Sequence, residues 1–272
     1  AEVAPRQAHA AEIMTNDNNK AREAAQAHQD PLVSQAVLDD VLRDDLGAFI
    51  FRVFQTLNPG TPYRHNWHID AIVYELMRCA RGENQRLLIN QPPRSLKSIC
   101  VSVAFVAWVL GNDPSKKFIC LSYSAELATD LARMFRAVIG ADWFKRVFPR
   151  FEVAKDKELE CVTTEGGVRY ATSVGGTLTG RGADIIIIDD PMKAGDAHSK
   201  TKRDTVLQWY RDTLVTRLDD KTKGVLLVVM QRLHQEDLAG YLLEQGGWAH
   251  LCLSAIAEED EVVKIGPDEV HR

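Results

Sequence analysis

Asp189 and Asp190 end the run Ile185-Ile186-Ile187-Ile188 and are followed by Pro191. A strand this β-branched belongs in the middle of a sheet covered on both faces. Acids at its C-terminal end open into the crevice where open α/β sheets bind ligands. Such a pair suits hydrolysis of a nucleoside triphosphate: Asp189 to hold hydrated magnesium, Asp190 to orient an attacking water. The simpler alternative is a strand-to-helix turn with capping acids.

A second segment supplies the complementary chemistry. Gln91-Pro92-Pro93-Arg94-Ser95-Leu96-Lys97-Ser98 lies between an apolar strand and an apolar helix. In a phosphate-cradling loop, backbone N–H groups and the helix dipole hold the β-phosphate; Lys97 would reach the γ-phosphate and Ser98 would ligate magnesium. Gln91 and Leu96 stand where that pattern has glycine, and Leu96 matters more because glycine there lets backbone approach phosphate. An ordinary strand-to-helix turn is the alternative, but the downstream acids are the other half that a nucleotide site requires. A third strand delivers Met230-Gln231-Arg232-Leu233-His234 to the same edge. Polar groups there can sense the γ-phosphate; a solvated loop is the bland reading.

The elements that must position these residues follow from hydrophobic periodicity. Amphipathic spacing over Pro31 to Leu57 predicts two helices stopped by Asn58-Pro59-Gly60, and a further helix spans Trp67 to Arg81. Strands are expected near Arg86 to Asn90, Phe118 to Tyr123, Ile185 to Ile188, Val225 to Met230 and His250 to Leu253. Helices fill Lys97 to Leu110, Ala125 to Ile139, Ser199 to Arg217 and Gln235 to Leu243. This alternation implies right-handed crossovers and a mainly parallel sheet. A β-hairpin insertion centred on Glu165-Gly166-Gly167 is expected between Cys161 and Thr172.

Composition bounds the remaining options. The 272 residues carry a net charge of -5, which does not suggest a constitutive, tight nucleic-acid binder. Five scattered cysteines lack zinc spacing and suit a reducing compartment. The apolar run Ile99 to Leu110 is short of the roughly 20 residues that span a bilayer, and no secretory leader is read over Ala1 to Leu32. Residues 1–30 are expected to be flexible, 31–60 a helical subdomain, 61–257 the nucleotide-hydrolysing domain, and 258–272 the start of a linker.

From about Phe49 to Ala257 the chain resembles the ATPase domain of the large terminase subunit of tailed bacteriophages. The resemblance rests on Leu87 to Arg94 leading into Lys97-Ser98 and on Gly175-Gly176-Thr177-Leu178-Thr179-Gly180-Arg181-Gly182-Ala183-Asp184 running into the acidic strand. Gln231-Arg232-Leu233-His234 followed by Asp237-Leu238-Ala239-Gly240 completes it. It implies an α/β fold: a P-loop NTPase of the additional-strand, RecA- or helicase-like type, with a mainly parallel central sheet flanked by helices and a small N-terminal helical subdomain.

It also implies roles. ATP and Mg2+ are the expected ligands, cradled by Gln91, Pro92, Pro93, Arg94, Ser95, Leu96, Lys97 and Ser98. Ser98 and Asp189 match the metal-holding positions, Lys97 the Walker A lysine, and Asp190 the catalytic carboxylate, where many members have Glu. Gln231, Arg232 and His234 match the motif that couples hydrolysis to movement. Trp67 and His68, with Tyr63 and Asn66, match the region that contacts adenine, although a core role for Trp67 is equally open. Arg94 in cis and Arg181 in trans are the two arginine candidates for stabilising the transferred phosphoryl, with Arg181 favoured and a structural salt bridge as its equally open alternative.

The implied partners are double-stranded DNA, a portal protein, a small terminase subunit and further copies in a ring, with no membrane, in the cytoplasm of an infected bacterium. Lys193, Lys200, Lys202 and Arg203 are candidate DNA contacts, a solvated helix start being the plainer reading. Family large subunits carry a C-terminal nuclease domain; its absence from these residues predicts ATP hydrolysis without DNA cleavage. The rival readings are a helicase-type DNA remodelling ATPase and a nucleotide-binding assembly module with little hydrolysis.

Overall fold

The computed structural model describes residues 31–256 and 260–271. The flexible segment expected over residues 1–30 lies outside them. Helix α1 (Pro31–Asp44) leads to α2 (Leu46–Leu57), whose first turn is capped by the Asp45 carboxylate accepting from the Ala48 N–H. Helix α3 (Trp67–Ala80) precedes β1 (Arg86–Asn90). After the Gln91 to Ser98 loop comes a wide helical segment, Ile99–Phe105, continued by α4 (Val106–Asn112). Then follow β2 (Lys117–Ser122), α5 (Ala125–Gly140), α6 (Asp142–Val147), β3 (Val153–Lys157), β4 (Glu160–Thr163), β5 (Val168–Ser173) and β6 (Ile185–Asp189). Helix α7 (Lys200–Trp209) continues through a wide helical segment, Tyr210–Leu214, and a short tight helical turn, Val215–Arg217. Then β7 (Val225–Met230), α8 (Leu238–Gln245) and β8 (Ala249–Cys252) complete the sheet.

The eight strands lie in the order β3-β4-β5-β2-β6-β7-β1-β8. From β5 to β8 all neighbours are parallel; β3 and β4 are added antiparallel at one edge. Strand β6 is central, and the two-residue alternation of its side chains divides the core. Ile185 and Ile187 pack with Leu87, Ile89, Leu227 and Val229 beneath α2, the helix after β1 and α5. Ile186 and Ile188 pack with Leu88, Leu226 and Val228 beneath α7 and α8. Both faces of the sheet are therefore covered, which is why the strand reads as an unbroken apolar run.

Two expectations change in detail. The segment around Gly166-Gly167 does turn between antiparallel β4 and β5. It is not an insertion, because β5 pairs with β2 along six residues and so belongs to the main sheet. Its outer neighbour β3 was not foreseen: all five of its residues are exposed, so no buried face imposes an apolar alternation. Residues 260–271, within the stretch read as a linker start, fold back as a two-stranded ribbon of β9 (Val263–Lys264) and β10 (Val270–His271). Val263 and Ile265 pack against the core, and the His271 ring stacks on Trp67 with centroids 4.1 Å apart.

Helix α2 shares the sheet's core, with Phe49 making edge contacts to Trp143, Phe144 and Phe148. Among the described residues no helix is long and apolar enough to cross a membrane. Ile187 is fully buried at the centre of this packing. Ile187→Ala should destabilise the fold by about 2–5 kcal/mol, read as a lower denaturant midpoint at unchanged slope.

Candidate active site

Parallel pairing brings the three chemical segments to one rim. Asn90 is in register with Met230, and Asp189 with Val229, so β1, β6 and β7 end together. The first residue beyond each of two strands extends the ladder: Gln91 N–H donates to Met230 O (3.2 Å) and Asp190 N–H to Val229 O (2.9 Å). Lys97 Nζ then lies 2.5 Å from Asp190 Oδ2, and Ser98 Oγ donates to Asp189 Oδ1 at 3.0 Å. An ammonium, a hydroxyl and two acids thus meet in one place.

Backbone strain sits at the rim of the site, in the loop at Arg94 and Leu96, the latter where glycine is missing, and after β6 at Asp190. Leu96 has φ +62°, Arg94 +63° and Asp190 +45°, the left-handed region that costs side-chain-bearing residues about 1–3 kcal/mol each. Leu96 adopts the backbone that glycine ordinarily supplies while its side chain packs against the core. The loop is also tied internally: Ser95 Oγ donates to Pro92 O at 2.8 Å and to Gln91 Oε1 at 3.3 Å. His68 Nε2 donates to Ser95 O at 3.3 Å, linking the start of α3 to the loop. Burial holds the His68 imidazole below its ordinary value, which favours the neutral donor.

Asp189 is buried to 1% exposure, and burial, with the neighbouring Asp190 charge adding to it, pushes its carboxyl up to about 6. Hydrogen bonds from Ser102 and Ser98 and the charge of Lys97 oppose that rise. Ser102 Oγ donates to Asp189 Oδ2 at 2.6 Å, so each carboxylate oxygen is held by one serine. A buried carboxylate beside a hydroxyl is a hard-oxygen donor set of the kind magnesium takes together with substrate phosphates. Ser98 and Asp189 therefore fit the metal that the loop chemistry implies.

The loop after β7 is joined to the same acids. Gln231 N–H donates to Asp190 Oδ1 at 3.1 Å. Buried Asp237 holds the rest of the loop: its Oδ2 accepts from Leu233 N–H and His234 N–H at 3.0 and 3.3 Å, and its Oδ1 from Gly240 N–H at 2.9 Å. Gly240 is required there, since a Cβ would lie 1.8 Å from Gln235 O. Arg232 Nε sits 3.4 Å from Asp237 Oδ1. A cavity of about 340 Å3 opens between Gln91 to Pro93, Gln231, Arg232 and the end of β8.

Other candidates lie elsewhere. Arg181 is not in this cluster: its guanidinium pairs with Glu160 at 2.5 Å and lies 3.7 Å over the Tyr170 ring. Lys155 and Arg181 together hold the Glu160 carboxyl down at about 2. Arg94 is exposed and makes no hydrogen bond or ion pair among the described residues. Trp67 faces His271, one residue before the loop-bound His68. Arg203 is turned inward onto Ala197 O and Glu236, whereas Lys200 pairs with Asp204 on the surface and Lys193 lies 5.4 Å from the Tyr123 ring centroid. Ser102 and the loop-holding role of Asp237 were missed by sequence reasoning. The signal for Ser102 was its place four residues after Ser98 on one helix.

Comparison with known proteins gives the class. A model of the family described as "Terminase large subunit, T4likevirus-type, N-terminal" matches residues 88–265, and the chain belongs to that family. Over 182 residues it is 28% identical to the "Terminase, large subunit" of Enterobacteria phage T3, a match covering 64% of this chain and 30% of the relative. The crystal structure of the HK97 bacteriophage large terminase superposes with a TM-score of 0.56 at 14% identity, covering 80% of this chain and 45% of that one, which is a likeness of fold. The chain thus spans less than half the length of either protein.

The raised Asp189 carboxyl carries a sign for stability. An unfolded aspartate titrates near 4, so between about 4 and about 6 the native state binds more proton, and the fold loses stability as pH rises through that window. Asp189→Asn cannot ionise and should remove the loss. Thermal midpoints of the nucleotide-free protein should fall relative to the variant's across that interval; equal pH slopes would contradict the assignment.

Proposed function

We propose that this chain is the ATPase motor portion of a phage large terminase, hydrolysing ATP to drive double-stranded DNA into a procapsid. The observation that carries the reading is the convergence of Lys97, Ser98, Asp189 and Asp190 at the C-terminal rim of a parallel sheet. Family membership supports the DNA-packaging role. The proposed setting is the cytoplasm of the infected bacterium, with portal protein, a small terminase subunit and further copies of the chain as partners.

In this reading Lys97 leaves Asp190 for the phosphate oxygens of ATP, and the loop N–H groups and the helix dipole after Ser98 hold the β-phosphate. Ser98 and Asp189 would hold magnesium, which would supply positive charge against the charge developing on the transferred phosphoryl group. Asp190, released from the lysine, has its Oδ2 free to orient the attacking water. Its Oδ1 is bonded to the Gln231 N–H, so a shift of this carboxylate pulls on the loop that Asp237 fastens to α8. Trp67 and His68 provide the purine side of the site, and Arg94, exposed on the phosphate loop, is the cis candidate for charge stabilisation.

ATP turnover should fall by roughly 10²- to 10⁴-fold in both Lys97→Ala and Asp190→Asn, with thermal melting showing that each variant folds. Turnover by either folded variant at the unaltered rate would refute the reading. As a trans finger, Arg181 has to exchange Glu160 for a neighbour's phosphate. Mixing Arg181→Ala subunits with Asp190→Asn subunits should then restore part of the activity, and absence of rescue at every ratio would remove Arg181 from that role.

A further inference from the structure

We infer that Ser102 is a positioning residue for the metal site: it fixes the plane of the Asp189 carboxylate. The inference rests on the nucleotide-site reading above. Strand β6 sets the backbone of Asp189, but rotation about its last side-chain bond has a broad, weakly restrained profile. Among the described residues only two side chains donate to that carboxylate, Ser98 to Oδ1 and Ser102 to Oδ2. Lys97 is not one of them, since its ammonium is bonded to Asp190. Ser98 has a second role in the proposed site, ligating the metal. Ser102 has none, because the residue is 1% exposed and its hydroxyl's one acceptor is Asp189 Oδ2.

The local backbone is consistent with this role. A serine inside a helix commonly returns its hydroxyl to the carbonyl one turn back. Ser102 instead reaches across to the sheet from the wide helical segment Ile99–Phe105, directly beyond the loop. Widened helical turns of this kind recur at functional sites. With Oδ2 tied to the helix, Oδ1 stays directed toward Ser98 and the phosphate side. Without that tie the carboxylate would turn, because a buried carboxylate oxygen left without a donor is costly.

The test measures binding of a fluorescent ADP to the full chain, in a magnesium titration and in EDTA. Ser102→Ala should raise the magnesium concentration needed for half-maximal enhancement by about tenfold or more, the range expected for losing a hydrogen bond to a charged group, while affinity in EDTA stays the same. Ser102→Thr, which keeps the hydroxyl, should restore the wild-type requirement. Ser102→Cys keeps the volume with a weaker donor; it should behave as the alanine variant and replaces it if the alanine cavity prevents folding. An unchanged magnesium requirement, or an equal loss of affinity with and without magnesium, overturns the positioning role. If those results accompany wild-type binding that Lys97→Ala abolishes, the nucleotide-site reading survives alone. If the wild-type chain binds no ADP even with magnesium, both fall.

Discussion

The structure is organised around a carboxylate at the end of a central strand buried on both faces. Asp189 follows four buried isoleucines and is itself withdrawn from water, where an unpaired charge would be strongly disfavoured. The fold meets that constraint from one direction only, by laying the start of the helix after β1 against the strand end so that two serines donate to its two oxygens. The same helix carries Lys97 into reach of Asp190. The Lys97-Ser98 segment and the acids Asp189 and Asp190 thus meet through one packing arrangement. In the proposed reading a divalent ion would relieve both the burial and the mutual repulsion that raise the Asp189 carboxyl.

That arrangement depends on topology as much as on local sequence. Strands β1, β6 and β7 are separated by long stretches of chain, and parallel pairing is what ends them at one level. The loops leaving them have to turn sharply. The three side-chain-bearing residues with left-handed backbone, Arg94, Leu96 and Asp190, all lie there and nowhere else among the described residues. Strain concentrated in this way is held by the surroundings: Leu96 by its core contacts, and Asp190 by ladder bonds to Val229 and to Tyr123.

Much of this was legible in the residues, for identifiable reasons. Strands buried on both faces leave unbroken apolar runs, so β1, β2, β6 and β7 were found nearly to the residue, and the acids and the Lys-Ser pair fell at their ends. Strand β3 was illegible because an exposed edge strand has no buried face to write a pattern, and Val153–Lys157 reads as surface. The widening over Ile99–Phe105 leaves the apolar spacing of an ordinary helix intact. Ser102 was not singled out, since its role appears only when the helix is laid on the strand. A structural salt bridge for Arg181 was one of the two readings, but its partners Glu160 and Tyr170 lie far along the chain, so the residues themselves could not name them.

Asp190 is where chemistry and movement share an atom group. One of its oxygens faces Lys97, the side from which phosphate would approach, and the other accepts from the backbone of Gln231. Phosphate that draws Lys97 away leaves the carboxylate held only from the coupling loop, and that loop is fastened by Asp237 to α8 rather than free to absorb the change. The opposite side of the phosphate loop has a comparable link through His68, whose neighbour Trp67 is covered by His271 from the ribbon of β9 and β10. A purine that takes that face of Trp67 has to displace His271. In the proposed reading, nucleotide occupancy and the placement of the ribbon would then be coupled, because one aromatic face cannot hold both rings.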